Sequence, residues 1–237
     1  MFKLFFTPEW FQGWDLGFQG ISLVIALLIA MYSFRMYKVT DENKFAYFAG
    51  AFVLIAIGFI SSIITQSLVY FRPVRTVAMD MLVPVVGRAA KGVNYSQLFF
   101  RTGFFVSMVT TLGAWLLMFF VSQKRSGRLK RYYDVSQIAL FVYLLVLISI
   151  VSNFTYFVFY LTSLVIIGLT VLNYYKNYLN TNRNRNAKTV MNAFIALMVG
   201  HLFFVFVFLF PSFYVIGQVL VLIGLLMLLS VYSRVRR

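Results

Sequence analysis

The stretch FAYFAGAFVLIAIGFISSIITQSLV, which occupies residues 45–69, contains no charged side chain. It is longer than the roughly 20 residues that a helix needs to cross about 30 Å of hydrocarbon. Six other apolar runs of similar length complete the pattern: Leu16–Phe34, Thr102–Val121, Val135–Val151, Phe154–Leu172, Met191–Phe210 and Phe213–Tyr232. The sequence therefore predicts an all-α, polytopic integral membrane bundle of seven transmembrane helices, which forms a single domain over residues 1–237.

The positive charges of the chain lie mostly on one side of these predicted spans. Of the 21 Lys and Arg residues, 15 fall in the odd-numbered connections and the C-terminal tail, within positions 35–44, 124–131, 176–188 and 234–237. Basic loops resist translocation across a membrane, so the side that carries them is cytoplasmic. We expect the N-terminus outside, the C-terminus in the cytoplasm and the protein in the plasma membrane.

Composition limits the classes of partner and cofactor. Hydrophobic residues make up 62% of the 237 residues, which leaves no room for a soluble catalytic domain. The net charge of +15 is spread beside helix ends. This distribution predicts contact with the lipid bilayer and its anionic inner-leaflet lipid, and no binding of nucleic acid. The chain has no cysteine, which removes thiolate metal sites, and we expect no metal and no cofactor.

Three segments outside the spans have predicted roles of their own. Residues 1–15 mix Phe and Trp with charged side chains, which predicts an interfacial N-terminal segment. Residues 71–101 form a long outer loop, of a length that often covers or forms a binding site. The inner loop after the third span is either a solvated turn in contact with lipid or a docking patch for a cytoplasmic protein partner. The basic residues of this patch are Lys124, Arg125, Arg128, Lys130 and Arg131.

Charged side chains are missing from the middle of every predicted span. Proton pumps, ion-coupled carriers and voltage sensors keep ionisable groups inside the bundle, so the sequence argues against all three classes. Seven helices with this orientation resemble the microbial rhodopsins, but Phe213–Tyr232 lacks the Lys that their chromophore requires in the last helix. The residue patterns typical of enzymes are missing as well, and we expect no enzymatic activity.

Polar side chains inside the spans cluster toward the outer half of the bundle. If they face inward together, they line an outward-facing polar cavity beneath the long outer loop. The alternative is that polar residues gather near the membrane surface because their burial is less unfavourable there. The candidate ligand-binding residues are Gln66, Ser107, Gln218, His201, Arg101 and Asn153.

His201 is the single histidine of the chain. It lies ten residues after Met191, so a rise of about 1.5 Å per residue places it near the middle of the membrane. An imidazole at that depth needs a polar partner. We expect a hydrogen bond to a neighbouring helix, with a place in the lining of a wet cavity as the alternative.

These patterns favour a non-enzymatic, receptor-like or partner-binding membrane protein, with the polar cavity and the basic inner loops as its two working surfaces. The alternative is a facilitative carrier or pore for a small neutral solute, which needs no charge inside the membrane. The inner halves of the spans contain few polar groups. We therefore expect the bundle to be sealed below the cavity, which favours the receptor-like interpretation.

Overall fold

The computed structural model describes residues 7–71, 73–78, 95–123, 156–181 and 183–234. Six long helices account for most of these residues: α1 (Trp14–Thr40), α2 (Asn43–Tyr70), α3 (Tyr95–Ser122), α4 (Tyr156–Asn180), α5 (Arg185–Val205) and α6 (Ser212–Arg234). Within the described ranges, all six are long and apolar enough to cross a membrane. The prediction of an all-helical, multi-pass membrane protein is confirmed, while the predicted fourth span, Val135–Val151, lies outside the described residues.

Several helices extend beyond the apolar runs that predict them. α1 continues to Thr40, six residues past its predicted span, and α2 begins at Asn43 after a turn of only two residues. α3 begins at Tyr95, so residues 95–101 of the predicted outer loop are helical, as are residues 73–78. An apolar run predicts only the part of a helix that contacts lipid. The helix itself can continue into the polar region, because its backbone hydrogen bonds do not depend on the polarity of the side chains.

The helix that contains His201 is displaced from its predicted position. The expected span was Met191–Phe210, whereas α5 runs from Arg185 to Val205. Its start is fixed by Asn184, whose side-chain oxygen accepts a hydrogen bond from the N–H of Asn186 at 2.9 Å. Residues 206–209 are apolar but form turns. His201 therefore lies about one turn from the end of its helix.

The six described helices form a closed ring. Each packs against the next along the chain, and α6 packs against α1. We call the end at which α1, α3, α4 and α6 begin the Gln66 end, and the opposite end the Lys38 end. Small side chains of α1 face the interior of the ring, where they let the neighbouring helices approach: Ser22, Ala26, Ala30 and Ser33.

Glycine residues mark the closest contacts between helices. A Cβ atom at Gly224 of α6 would lie 2.8 Å from Cγ of Leu197 and 3.0 Å from the carbonyl oxygen of Ala193, both on α5. A Cβ atom at Gly103 of α3 would overlap Oγ1 of Thr65 on α2. Helices in lipid usually associate through such close backbone contacts, because burial of apolar surface provides little driving force for association there.

α3 and α4 run in the same direction. Near the start of both helices, the rings of Phe104 and Phe159 are in contact, with their centroids 6.2 Å apart. Near the end of α3, Oγ of Ser122 accepts a hydrogen bond of 3.0 Å from Nδ2 of Asn173, which belongs to the second half of α4. The chain therefore leaves α3 at the Lys38 end and enters α4 at the Gln66 end.

The residues before α1 pack onto the Gln66 end of the ring. One turn of 3-10 helix, Glu9–Phe11, buries the ring of Phe11 at 6.3 Å from the ring of Tyr214. Trp10 and Trp14 are 66% and 70% exposed. Their position suits the interface between lipid and water, where Trp is enriched. The segment thus has an inward face and an outward face.

Asp15 belongs to the inward face, although it lies in the segment expected at the interface. Its carboxylate has no exposed surface. It accepts hydrogen bonds from the N–H groups of Gly13 and Leu16, at 3.0 and 2.9 Å, and from the hydroxyl of Tyr70 at 2.9 Å. Gly13 has a φ of +93°, a backbone conformation that glycine adopts readily, and this lets the chain turn into α1.

Candidate functional site

A cavity of about 130 Å³ lies inside the ring, toward the Gln66 end. We call it the Gln66 cavity. Its lining includes side chains from all six described helices, with Thr7 of the N-terminal segment. Each helix contributes a polar side chain: Gln19, Gln66, Ser107, Tyr160, His201 and Gln218, in the order α1 to α6. Because all six described helices contribute to the lining, the shape of the cavity depends on how these helices pack and not on one loop.

A network of hydrogen bonds crosses one side of the cavity. Nε2 of Gln19 donates to Oε1 of Gln66 at 3.0 Å, and Nε2 of Gln66 donates to the hydroxyl of Tyr214 at 3.5 Å. Nε2 of Gln218 donates to the same hydroxyl at 3.1 Å. All four side chains are buried. The network ties α1, α2 and α6 together, and Tyr214 is the residue on which it converges.

His201 lines the cavity but does not make the expected bond to another helix. Its Nδ1 lies 2.8 Å from the carbonyl oxygen of Leu197, one turn earlier in α5. The expectation of an interhelical hydrogen bond is therefore wrong for the part of the chain that is described. The carbonyl of Leu197 lies within reach of the ring because the two residues are four apart on one helix. Because a carbonyl only accepts, Nδ1 carries the proton, and in the neutral ring Nε2 is an acceptor.

Aromatic rings surround His201 from two other helices and from its own. The ring of Trp115 on α3 is perpendicular to the imidazole, with the centroids 5.6 Å apart. Tyr160 on α4 lies at 6.2 Å and stacks on Phe204, whose centroid is 4.7 Å from its own. These three rings pack around the imidazole and also belong to the lining of the cavity.

Two buried polar atoms in the lining have no hydrogen-bond partner within the described residues. They are the donor Nε1–H of Trp115 and the acceptor Oε1 of Gln19. Trp115 is 4% exposed and Gln19 is 3% exposed. Leaving a buried polar group unpaired costs about 1–3 kcal/mol, so each of these atoms favours a molecule in the cavity that can pair with it.

Four of the six candidate residues from the sequence line this one cavity: Gln66, Ser107, His201 and Gln218. Arg101 is exposed and is not part of the lining, which on α3 begins at Gly103. Asn153 lies outside the described residues, as does the basic patch of Lys124, Arg125, Arg128, Lys130 and Arg131. Their predicted roles in binding remain predictions.

Sequence reasoning missed Thr7, Trp115, Tyr160 and Tyr214, which also line the cavity. Two of these leave a signal in the sequence. Trp115 lies in the middle of a span, although Trp in membrane proteins usually lies at the interface. Tyr214 precedes Gln218 by four residues, which puts both side chains on one face of a helix. Thr7 and Tyr160 carry no comparable signal.

The cavity is uncharged and ends inside the bundle. Among the side chains that the structure describes, no Asp, Glu, Lys or Arg belongs to its lining. Its deepest lining residues are Trp115 and Leu225. Beyond them, toward the Lys38 end, the core is filled by side chains without exposed surface: Phe52, Met118, Phe194 and Leu228.

The arrangement offers hydrogen bonds and aromatic faces to a bound molecule. It does not bring together a pair of groups for acid–base chemistry in the residues described. Within the same residues, no three His, Asp or Glu side chains lie close enough together to hold a metal ion. No protein-family model, curated protein or solved structure matches the chain.

Proposed function

We propose that this chain is a receptor-like membrane protein of seven spans, which binds a small uncharged solute in the Gln66 cavity from outside the cell. Its N-terminus lies outside, its C-terminus lies in the cytoplasm, and it has no enzymatic activity. Its basic cytoplasmic end contacts anionic lipid and provides a surface for a cytoplasmic partner.

The direction of α3 and α4 supports a seventh span. The chain leaves α3 at Ser122 and enters α4 at the opposite end of the bundle, as the contacts of Phe104 and Asn173 indicate. A chain that returns through lipid must satisfy its own backbone hydrogen bonds, which favours a helix. The apolar run Val135–Val151 falls in this connection and has the length to supply it.

The distribution of charge supports the orientation. Exposed basic side chains of the described helices gather at the Lys38 end: Arg35, Lys38, Lys176, Arg183, Arg185 and Lys188. Positively charged segments are retained on the cytoplasmic side, so the Lys38 end faces the cytoplasm and the Gln66 end faces outward. The same charges attract anionic lipid, with a contribution on the order of 1 kcal/mol for each residue near the surface.

The single observation that carries the proposal is the unpaired polar lining of the cavity. The N–H of Trp115 and Oε1 of Gln19 are buried and have no partner among the described residues, and both side chains line a space that six helices surround. Buried polar groups without partners are uncommon and require an explanation such as a bound molecule. A volume of about 130 Å³ limits that molecule to a small one, since drug-sized ligands occupy about 300–1,000 Å³.

The packed core below the cavity favours a receptor over a carrier. A carrier needs a polar path that continues toward the other face of the membrane. Here the fully buried side chains below Trp115 and Leu225 are apolar except for small hydroxyl groups such as that of Ser33, and they include Met118 and Leu228. Solute that enters from outside would therefore remain in the outer half of the bundle.

Trp115 supplies a reporter for this proposal. The chain has three Trp residues, so the variant Trp10→Phe/Trp14→Phe retains Trp115 alone. Acrylamide, a small uncharged amide that quenches indole fluorescence on contact, should quench Trp115 when added outside lipid vesicles that contain the protein with its N-terminus outward. Iodide, a charged quencher, should have little effect, because transfer of an unpaired charge into the cavity is strongly unfavourable.

A pair of substitutions on α3 provides the control. Ser107→Phe places a ring in the cavity and should remove most of the acrylamide quenching. Val106→Phe adds the same ring at an exposed position next to it and should leave the quenching unchanged. The proposal is wrong if acrylamide does not reach Trp115, or if both variants are quenched to the same extent.

A further inference from the structure

Trp115 and His201 both line the Gln66 cavity, and their side chains carry complementary hydrogen-bonding atoms. The indole N–H of Trp115 is a donor without a partner in the described structure. The Nε2 of His201 is an acceptor, because Nδ1 is engaged with Leu197. Among the described residues, Nε2 makes no hydrogen bond of its own. The two rings are adjacent, with their centroids 5.6 Å apart.

A hydroxyl group satisfies both atoms at once. Its oxygen accepts from the indole N–H, and its proton is donated to the imidazole Nε2. An ether or a carbonyl group accepts but cannot donate, so it leaves the imidazole unpaired. An apolar molecule leaves both atoms unpaired.

The rest of the cavity is suited to a flat ring. Phe104, Phe159, Phe204 and Tyr214 belong to its lining. Aromatic rings pack against one another in stacked or edge-to-face geometry. The volume of about 130 Å³ is close to that of an engineered apolar cavity of about 150 Å³ that binds benzene. Among the residues that the structure describes, the lining contains no charged side chain that could neutralise a charged ligand.

We propose that the ligand of the Gln66 cavity is a small uncharged aromatic alcohol of the phenol type, whose hydroxyl group lies between Trp115 and His201. This inference rests on the proposed function and adds the chemical class of the solute. The amide oxygen of Gln19, which also has no partner in the described part of the chain, then pairs with a second donor on the ring or with water.

The test uses four fluorinated rings of similar size, followed by ¹⁹F NMR with the purified protein in detergent. 4-Fluorophenol should bind saturably. 4-Fluoroanisole, which lacks the donor, fluorobenzene, which lacks both groups, and 4-fluorobenzoate, which is charged, should each bind at least about tenfold more weakly. This factor follows from leaving a buried partner unpaired.

Substitutions then assign the hydroxyl contact. Trp115→Phe and His201→Phe keep a ring at each position and should each reduce the preference for 4-fluorophenol over fluorobenzene by about tenfold. Ser107→Phe should abolish binding of all four probes, and Val106→Phe should not alter it. Since the comparison of probes on the unaltered chain needs no variant, a substitution that fails to fold does not prevent the test.

Several outcomes would overturn the inference. Fluorobenzene or 4-fluoroanisole binding as tightly as 4-fluorophenol would show that the hydroxyl is not recognised. Tightest binding of 4-fluorobenzoate would indicate an anion site. If no probe binds, yet acrylamide quenches Trp115 in a manner that Ser107→Phe blocks, the ligand class is wrong and the proposed function stands. If both measurements fail, the proposed function fails with it.

Discussion

Replacing Gly224 with alanine tests the close contact between α5 and α6 near the floor of the Gln66 cavity. The added methyl group would lie 2.8 Å from Cγ of Leu197 and 3.0 Å from the carbonyl oxygen of Ala193. Both neighbours have no exposed surface, so neither can move without displacing other core atoms. Overpacking of this kind costs about 1–3 kcal/mol of folding free energy.

Alanine also favours the helical state over glycine by roughly 0.5–1 kcal/mol, and this gain must be separated from the packing cost. Gly20 of α1 provides the control, because a Cβ atom there meets nothing within 4 Å. Both variants share the helical gain, so Gly224→Ala should unfold with a free energy about 1–3 kcal/mol lower than Gly20→Ala.

The assay is a titration of each purified variant from a mild detergent into SDS, with loss of helix followed by circular dichroism. The transition midpoints and slopes give the two free energies of unfolding. If Gly224→Ala is as stable as Gly20→Ala, α5 and α6 are not packed as closely as described, and the argument that the bundle is sealed below the cavity loses its basis.

Three further predictions concern the network, the histidine and the topology. Tyr214→Phe removes the hydroxyl that accepts from Gln66 and Gln218 and should lower stability by about 1 kcal/mol in the same titration; no difference from the exposed control Tyr175→Phe would contradict this. His201→Leu should lower stability by about 1 kcal/mol or less, because its described hydrogen bond is a single bond to a carbonyl of its own helix; a loss several times larger would contradict this. Thr76→Cys, in this chain without cysteine, should react with a membrane-impermeant maleimide in intact cells, whereas Thr181→Cys should react only after permeabilisation; the reverse pattern would invert the orientation.

Hydropathy predicts which segments are helical better than where the helices end. It identifies all six described helices, because each must bury an apolar face in lipid. It fails at the end of α1, since residues 35–40 include the charged Arg35 and Lys38 yet continue the helix. It fails again at residues 206–209, where an apolar and aromatic run forms turns.

The candidate site was predictable only in part. Gln66, Ser107 and Gln218 stand out because each is a polar residue inside an apolar run, and all three line one cavity. The partner of His201 was not predictable, because the choice between a carbonyl on its own helix and a group on another depends on the ring's orientation. Trp115 contacts the imidazole because of the way α3 packs against the other helices. That contact cannot be predicted from the sequence of α3 or of α5 alone.

The release of radiolabelled acrylamide from lipid vesicles tests most directly whether the Gln66 cavity is a binding site and not a passage. The vesicles contain the Trp10→Phe/Trp14→Phe protein, so quenching of Trp115 confirms in the same sample that acrylamide reaches the cavity. Our account predicts that trapped acrylamide leaves these vesicles no faster than it leaves vesicles of lipid alone. Faster release that depends on the protein, and that Ser107→Phe abolishes while Val106→Phe does not, would contradict the account and identify a carrier or pore.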